Sequence, residues 1–280
     1  MDGVLFDKNQ TTVIEYPMGR AGNYAIPTWV TVIANDAFAN AVITSVTIPI
    51  GMTSIGSSAF VSCSGLTSVT IPGSVTSIGD NAFAGSGVTN VTIPGRVAAI
   101  GGSVFANCEG LRTVTISNGV TSIPGFTFID CLELTSVTLP SSVTNIGVEA
   151  FEECVSLTNV FFEGNAPSVE NSFISDIGAT AYYLAGTTGW DDFSTNSDLP
   201  TVLWNPLIET GNPSFGVRIN QFGFQVIGTT NIPIVVEYCT NLVSPRWTPL
   251  QTLNLTKGSF YFSEPIQTSN SARYYRVSPP

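Results

Sequence analysis

The 280-residue sequence predicts a mainly β fold: a stacked solenoid of 22–23-residue coils, followed by a small C-terminal β-sandwich. Three observations predict it. Phe38, Phe60, Phe83, Phe105, Phe128 and Phe151 recur at intervals of 22, 23, 22, 23 and 23 residues. Ile33, Ile55, Ile78, Ile100, Ile123 and Ile146 keep the same spacings, and Val46, Val69, Val91, Val114, Val137 and Val160 form a third series. Beyond residue 207 this period gives way to short β-rich runs separated by Pro, Gly, Asn and Ser. A fixed period of this size is the mark of a stacked repeat.

Each element of the unit has a physical task, shown by the segment Leu66 to Phe83. Val69 and Ile71 alternate with Ser68 and Thr70, as in a strand with one buried face. Pro72 lacks a ladder donor and ends the strand, and Gly73 lets the chain turn. Val75 and Ile78 supply a second wall, and Gly79 a tight corner. Ala82 and Phe83 read as a short helical or 3₁₀ turn that drives one ring inward per coil. One coil cannot bury its own apolar face, so neighbours must stack, at roughly 4.8 Å per coil.

The unit closely resembles the BspA-like leucine-rich repeat family of bacterial surface proteins, which makes the first fold a leucine-rich-repeat-type solenoid. Val69-Thr-Ile-Pro72, Val75-Thr-Ser-Ile-Gly79 and Ala82-Phe83, with their counterparts over residues 24–163, carry the resemblance. Residues 1–23, with Tyr16-Pro17, resemble the segment that separates two repeat blocks in this family. The resemblance implies further repeats upstream, a surface-exposed binding role and no enzymatic activity. Drift is visible: Asn40 and Gly85 read as replacements for a cysteine, and Ser117 for a proline.

Four segments follow: 1–23 as a partial repeat, 24–163 as the solenoid, 164–206 as its cap and 207–280 as the sandwich. Charge changes at the last boundary. Residues 1–206 hold 4 basic and 17 acidic residues, a net of −13, and residues 207–280 hold 5 and 3, a net of +2. So acidic a surface repels phosphate backbones and anionic lipids, which argues against nucleic acid and membrane surfaces as partners. No run of 18 apolar residues is present, so no membrane insertion is expected. The start Met1-Asp2-Gly3-Val4 lacks the basic and apolar regions of a signal peptide. Charged residues are only 10% of the chain, against about 25% in typical soluble domains. That neutral Ser/Thr/Asn/Gly surface, with the resemblance, points to a secreted or cell-surface location.

Cys63, Cys108, Cys131 and Cys154 share one register, which reads as a column of small buried side chains, with a disulfide ladder or metal site as the alternative. No metal and no cofactor are expected, since the chain has no His and no CxxC pair. In 164–206, Tyr182, Tyr183 and Trp190 read as cover for the open end of the stack, or else as an aromatic platform for sugars. Asp191, Asp192 and Asp198 lack calcium-loop spacing and read as solvated. The C-terminal runs resemble a β-sandwich module of large secreted bacterial proteins, through Val236-Glu237, Thr240-Asn241-Leu242, Trp247 and Arg273-Tyr-Tyr-Arg276. This implies an anchoring, secretion or spacer role.

Catalytic constellations are missing from the sequence: without His there is no Ser-His-Asp triad, and no phosphate loop occurs. Glu152-Glu153 is an adjacent carboxylate pair at a turn, with nothing to place it across a cleft. The residues alternating with the buried Val and Ile are expected to face outward as a ladder. They are Ser45 and Thr47; Ser68 and Thr70; Asn90 and Thr92; Thr113 and Thr115; Ser136 and Thr138; Asn159 and Phe161. Such a neutral sheet suits docking of a protein or polysaccharide surface, though Thr also simply favours exposed strands. Three functions fit: a non-catalytic adhesion or binding protein, a subunit that self-assembles with copies of itself, or an accessory module of a secreted hydrolase.

Overall fold

The computed structural model describes residues 3–173, 178–266 and 272–280; Met1 and Asp2, where a leader was sought, lie outside the described residues. Two compact units are present, Met1–Tyr182 with Gly186–Thr201, and Tyr183–Ala185 with Val202–Pro280. The boundary expected at 207 therefore falls at 202. Trp204 belongs to the second unit, where its Nε1 donates to the Pro233 carbonyl at 2.8 Å, and Asn205 Oδ1 there accepts from Thr229 N at 2.8 Å.

In the solenoid unit every coil contributes two strands and a turn. One row joins Thr12–Glu15, Val32–Ile33, Ser54–Ile55, Ser77–Ile78 and Ala99–Ile100 in parallel, with Leu5–Phe6 antiparallel at its edge. Ser122–Ile123, Asn145–Ile146 and Ser168–Val169 form a further sheet at the same place in later coils. The valine row holds Gly22–Ala25, Ile43–Thr47 and Ser68–Val69 in one sheet, and Asn90–Ile93, Thr113–Ile116, Ser136–Leu139, Asn159–Phe162 and Thr180–Tyr183 in another. Pairing is in register, Val91 with Val114, Val114 with Val137 and Val137 with Val160. Each buried side chain thus meets its own counterpart, which is how a one-coil unit acquires a core.

The rings form a single inward file from Tyr16 through Phe38, Phe60, Phe83, Phe105, Phe128 and Phe151 to Phe173, with centroids 4.8–5.7 Å apart. The stack therefore extends beyond the expected 24–163 at both ends. The end coils escaped the sequence pattern because Tyr16 replaces Phe, and Val13 and Val169 replace Ile. Nor is the ring carried on a helical or 3₁₀ turn. From Phe38 to Phe151, the residues two before and two after each ring are left-handed, as at Asn81 and Gly85 or Ser103 and Asn107. The ring residue's N–H donates to the next coil, Phe83 N to Val104 O at 2.9 Å and Phe105 N to Thr127 O at 2.9 Å. Asn, Asp, Gly and Ser recur at the flanking sites because short polar side chains tolerate that conformation.

The cysteine slot lies three residues after each ring, so its occupants are Ala41, Cys63, Ser86, Cys108, Cys131 and Cys154; Asn40 and Gly85 are not in it. All five cysteines are free and buried. The thiols of Cys63, Cys108, Cys131 and Cys154 donate to the Phe38, Phe83, Phe105 and Phe128 carbonyls at 3.0–3.3 Å. Burial pushes Cys63 and Cys108 up to about 11 and Cys154 to about 12. Where the slot lacks cysteine, the coil is also one residue short. One residue separates Ala41 from Ile43 and Ser86 from Val88, whereas two separate Cys63 from Leu66 and Cys108 from Leu111. The first short coil is absorbed by a register shift between Gly22 and Asn23. At the second the ladder stops: Ser68–Val69 and Asn90–Ile93 belong to different sheets.

The C-terminal unit contains two antiparallel sheets. Leu207–Glu209, Gly216–Arg218, Gln221–Ile227 and Ser259–Pro265 make one, and Pro233–Cys239, Thr248–Asn254 and Tyr274–Ser278 the other. Their rings meet where Tyr275 stacks on Phe222 at 4.9 Å and lies 5.6 Å from Phe224. The Arg-Tyr-Tyr-Arg motif stitches this unit. Arg273 Nη1 donates to both Glu264 oxygens at 2.7 and 2.9 Å with its guanidinium over Tyr238, and Tyr275 Oη donates to Glu264 at 2.5 Å. Arg276 bonds Glu237 at 2.6 Å and lies over Trp247.

Candidate binding face

The outer positions of the valine row are set by strand alternation: with Val inward, the residues on either side must point away from the core. Thr47, Ser68, Thr70, Asn90, Thr92, Thr113 and Thr115 are exposed, and Ser45, Ser136, Thr138 and Asn159 are half-buried. Pairing of Thr92 with Thr115 and of Thr115 with Thr138 aligns their hydroxyls in a file along the stack. A second set of hydroxyls, not anticipated from the sequence, lies just before the strands. Thr76, Thr89, Thr144 and Thr158 each donate to a threonine carbonyl one coil back, at 3.2–3.3 Å. Those hydroxyls brace the coils. The hydroxyls of Thr70, Thr92 and Thr115 have no protein partner among the described residues and remain available.

Phe161 corrects the expected ladder. It pairs with Thr138 on the outer face, yet it is 2% exposed, because Tyr182 of the next strand stacks on it at 5.0 Å. The aromatic platform is corrected for a related reason. Tyr182 and Trp190 are buried and Tyr183 is half-buried, so they do not offer three open faces to a sugar. Trp190 lies on the helix Trp190–Ser197, where its ring meets Phe162 at 5.0 Å and Phe193 at 5.3 Å, and its Nε1 donates to Thr187 at 2.8 Å. Phe193 in turn packs on Phe162 and Phe173. These rings replace the coil that would otherwise cover the last one.

A depression of about 300 Å³ lies on the face where the ladder stops, lined by Ser68 to Thr70, Asn90 to Thr92, Thr113 and Thr115. Six of the expected outward residues line it, and no charged side chain does. Asn90 is fixed at its rim: Oδ1 accepts from Thr113 Oγ1 at 2.7 Å and Nδ2 donates to Thr89 Oγ1 at 3.0 Å. Elsewhere, Glu152 sits beside Glu149, Glu153 and Asp130. Its carboxyl is raised above the usual range chiefly by a hydrogen bond with Glu149, then by desolvation and the neighbouring charges. No cluster of three or more metal-ligating side chains occurs among the described residues, and no helix there is long and apolar enough to cross a membrane.

Comparison with known proteins follows the same lines. The chain is similar in fold to the pneumococcal vaccine antigen PcpA, with a TM-score of 0.53 at 21% identity, over 73% of this chain and 47% of that one. A leucine-rich repeat protein from Eubacterium ventriosum aligns with a TM-score of 0.46 at 21% identity, over 73% of this chain and 50% of that one. The leucine-rich repeat protein of T. pallidum aligns with a TM-score of 0.43 at 20% identity, over 70% and 87%. The chain thus spans about half the length of the first two structures. No curated protein matches it. The model of the BspA type leucine rich repeat region matches residues 31–158 and 76–184 with six copies. Through that match, which takes in more than half of its length, the chain belongs to the BspA-type leucine-rich repeat family.

Proposed function

We propose that this is a non-catalytic binding or adhesion protein, secreted or displayed on the bacterial cell surface, which engages protein or glycan partners through the outer face of its valine row. The observation carrying this reading is the uncharged file of hydroxyls, with Thr70, Thr92 and Thr115 unengaged around a shallow depression. A repeated neutral surface favours an extended partner over one small molecule, and it costs little to desolvate compared with charged groups. Membership of the BspA-type family and the fold shared with a pneumococcal vaccine antigen support this location and role. The test is a binding screen against host proteins and glycans with Thr92→Trp, Thr115→Trp and the exposed corner variant Asn118→Trp. Loss of partners in the first two alone is expected; equal binding by all three overturns the reading.

Charge favours a second reading, self-assembly. The solenoid unit holds 4 basic against 17 acidic residues and the C-terminal unit 5 against 3, so unlike units of two copies attract. Particles that stay monomeric by electron microscopy and sedimentation at every salt and protein concentration would remove it. The two C-terminal sheets read as a β-sandwich serving as anchor or spacer, and deleting Val202–Pro280 should then leave partner binding intact while abolishing surface attachment.

A further inference from the structure

We propose that the break in the valine-row ladder is a binding notch for a neutral, polyhydroxylated ligand, a short stretch of uncharged oligosaccharide. This deepens the binding-face reading and rests on it. The break is local. At its base Thr89 N still donates to Thr67 O at 3.2 Å, holding the two coils together. Immediately beyond, Ser68–Val69 and Asn90–Ile93 fall in different sheets, and the depression lies over them. Its volume of about 300 Å³ lies at the lower end of small-ligand sites.

The chemistry of the walls selects the ligand. A strand directs N–H and C=O groups alternately to both sides, so each strand beside the break carries both donors and acceptors along its edge. Around them stand the hydroxyls of Thr70, Thr92 and Thr115 and the fixed amide of Asn90. A hydroxyl both donates and accepts, so a polyol can engage both strands at once. A carboxylate or phosphate only accepts, and it would approach a unit with 17 acidic residues against 4 basic. An ammonium only donates and finds no carboxylate in the lining. A whole peptide strand needs about 4.8 Å on each side, which the bond between Thr89 and Thr67 does not leave.

Saturation-transfer NMR and calorimetry on the full chain test this, using neutral oligomers of glucose, xylose, mannose, galactose and N-acetylglucosamine. An acidic uronate oligomer and an extended peptide serve as controls. Binding of at least one neutral oligomer is expected, weakened tenfold or more by Thr92→Trp and unchanged by Asn118→Trp, an exposed corner position outside the notch lining. A second variant replaces Ser86-Gly87-Val88 with Cys-Glu-Gly-Leu, restoring the missing residue; it should close the notch and abolish binding while keeping the melting transition. No neutral oligomer bound, preference for the uronate or the peptide, or equal loss in Asn118→Trp would each overturn the notch. If protein partners still depend on Thr92 and Thr115 in that event, the binding-face reading survives alone; if nothing depends on them, both fall.

Discussion

Three glycines at the same corner of different coils should respond differently to the same methyl group. Gly65, Gly87 and Gly110 each precede the buried Leu66, Val88 and Leu111, and none has the positive φ that would itself forbid alanine. A Cβ at Gly87 would lie 2.2 Å from the Ser64 carbonyl oxygen, at Gly65 2.9 Å from that of Ile43, and at Gly110 within 4 Å of nothing. Overpacking of this kind costs about 1–3 kcal/mol. It works against the roughly 0.4–1 kcal/mol gained when alanine restricts the unfolded chain. Gly110→Ala should therefore stabilise slightly, Gly65→Ala fall near neutral or a little below, and Gly87→Ala lose most of the overpacking cost. At about 2–4 °C per kcal/mol, that separates the extremes by several degrees. Thermal and urea unfolding by circular dichroism measure the order, and hydrogen exchange on peptides from each coil locates the damage. If Gly110→Ala is as damaging as Gly87→Ala, the account of the pinched short coil is wrong.

Phe105 is fully buried between two stacked rings, so Phe105→Ala should cost about 3–5 kcal/mol in urea unfolding; combined with Phe83→Ala it should depart from additivity by more than about 0.5 kcal/mol. Phe126 is left-handed at φ 59° and 38% exposed, at the place where another coil carries Asn81. Phe126→Asn should raise stability by about 1 kcal/mol, and a lower urea midpoint would contradict this. For the thiols the folded values, about 11 for Cys63 and Cys108 and about 12 for Cys154, lie above the ordinary value of 9.0. The folded chain then retains protons that the unfolded chain loses. Stability should be insensitive to these groups below about pH 8.5 and fall as pH rises from there toward 11–12. Replacing all four column cysteines by alanine should flatten that fall, and the native protein should resist thiol reagents until it unfolds.

The ring file was legible because identical coils force a residue to meet itself, so a repeated Phe at a buried position has nowhere else to go. The outward ladder was legible from strand alternation alone. Its failure at Phe161 was not, because burial there depends on Tyr182 in a strand with a different sequence. The cysteine slot is read from the sequence only when it is anchored on the ring, which puts Ala41 and Ser86 in it rather than Asn40 and Gly85 and couples a missing cysteine to a short coil. Ser86-Gly87-Val88 held that signal, but only strand pairing shows that the deficit opens the ladder.

Two coils are equally short, yet only one interrupts the valine-row ladder, and the neighbours explain the difference. The first borders Gly22–Ala25, the edge strand of its sheet, which can shift register against Ile43–Thr47 because only one side of it is paired. The second lies inside the stack. There the ring file holds Phe83 at 5.1 Å from Phe60 and 5.5 Å from Phe105, and the isoleucine row holds Ser77–Ile78 in register with both neighbours. With two of the three sides pinned, sliding is blocked and the missing residue is felt on the third side, where Ser68–Val69 and Asn90–Ile93 fall in different sheets. Moving the short segment to the last coil should therefore restore the ladder by slippage, whereas moving it to another interior coil should carry the interruption with it. Hydrogen exchange at the displaced strand pair distinguishes the two, and an interior coil that accepts the deletion with its ladder protected would refute the pinning argument.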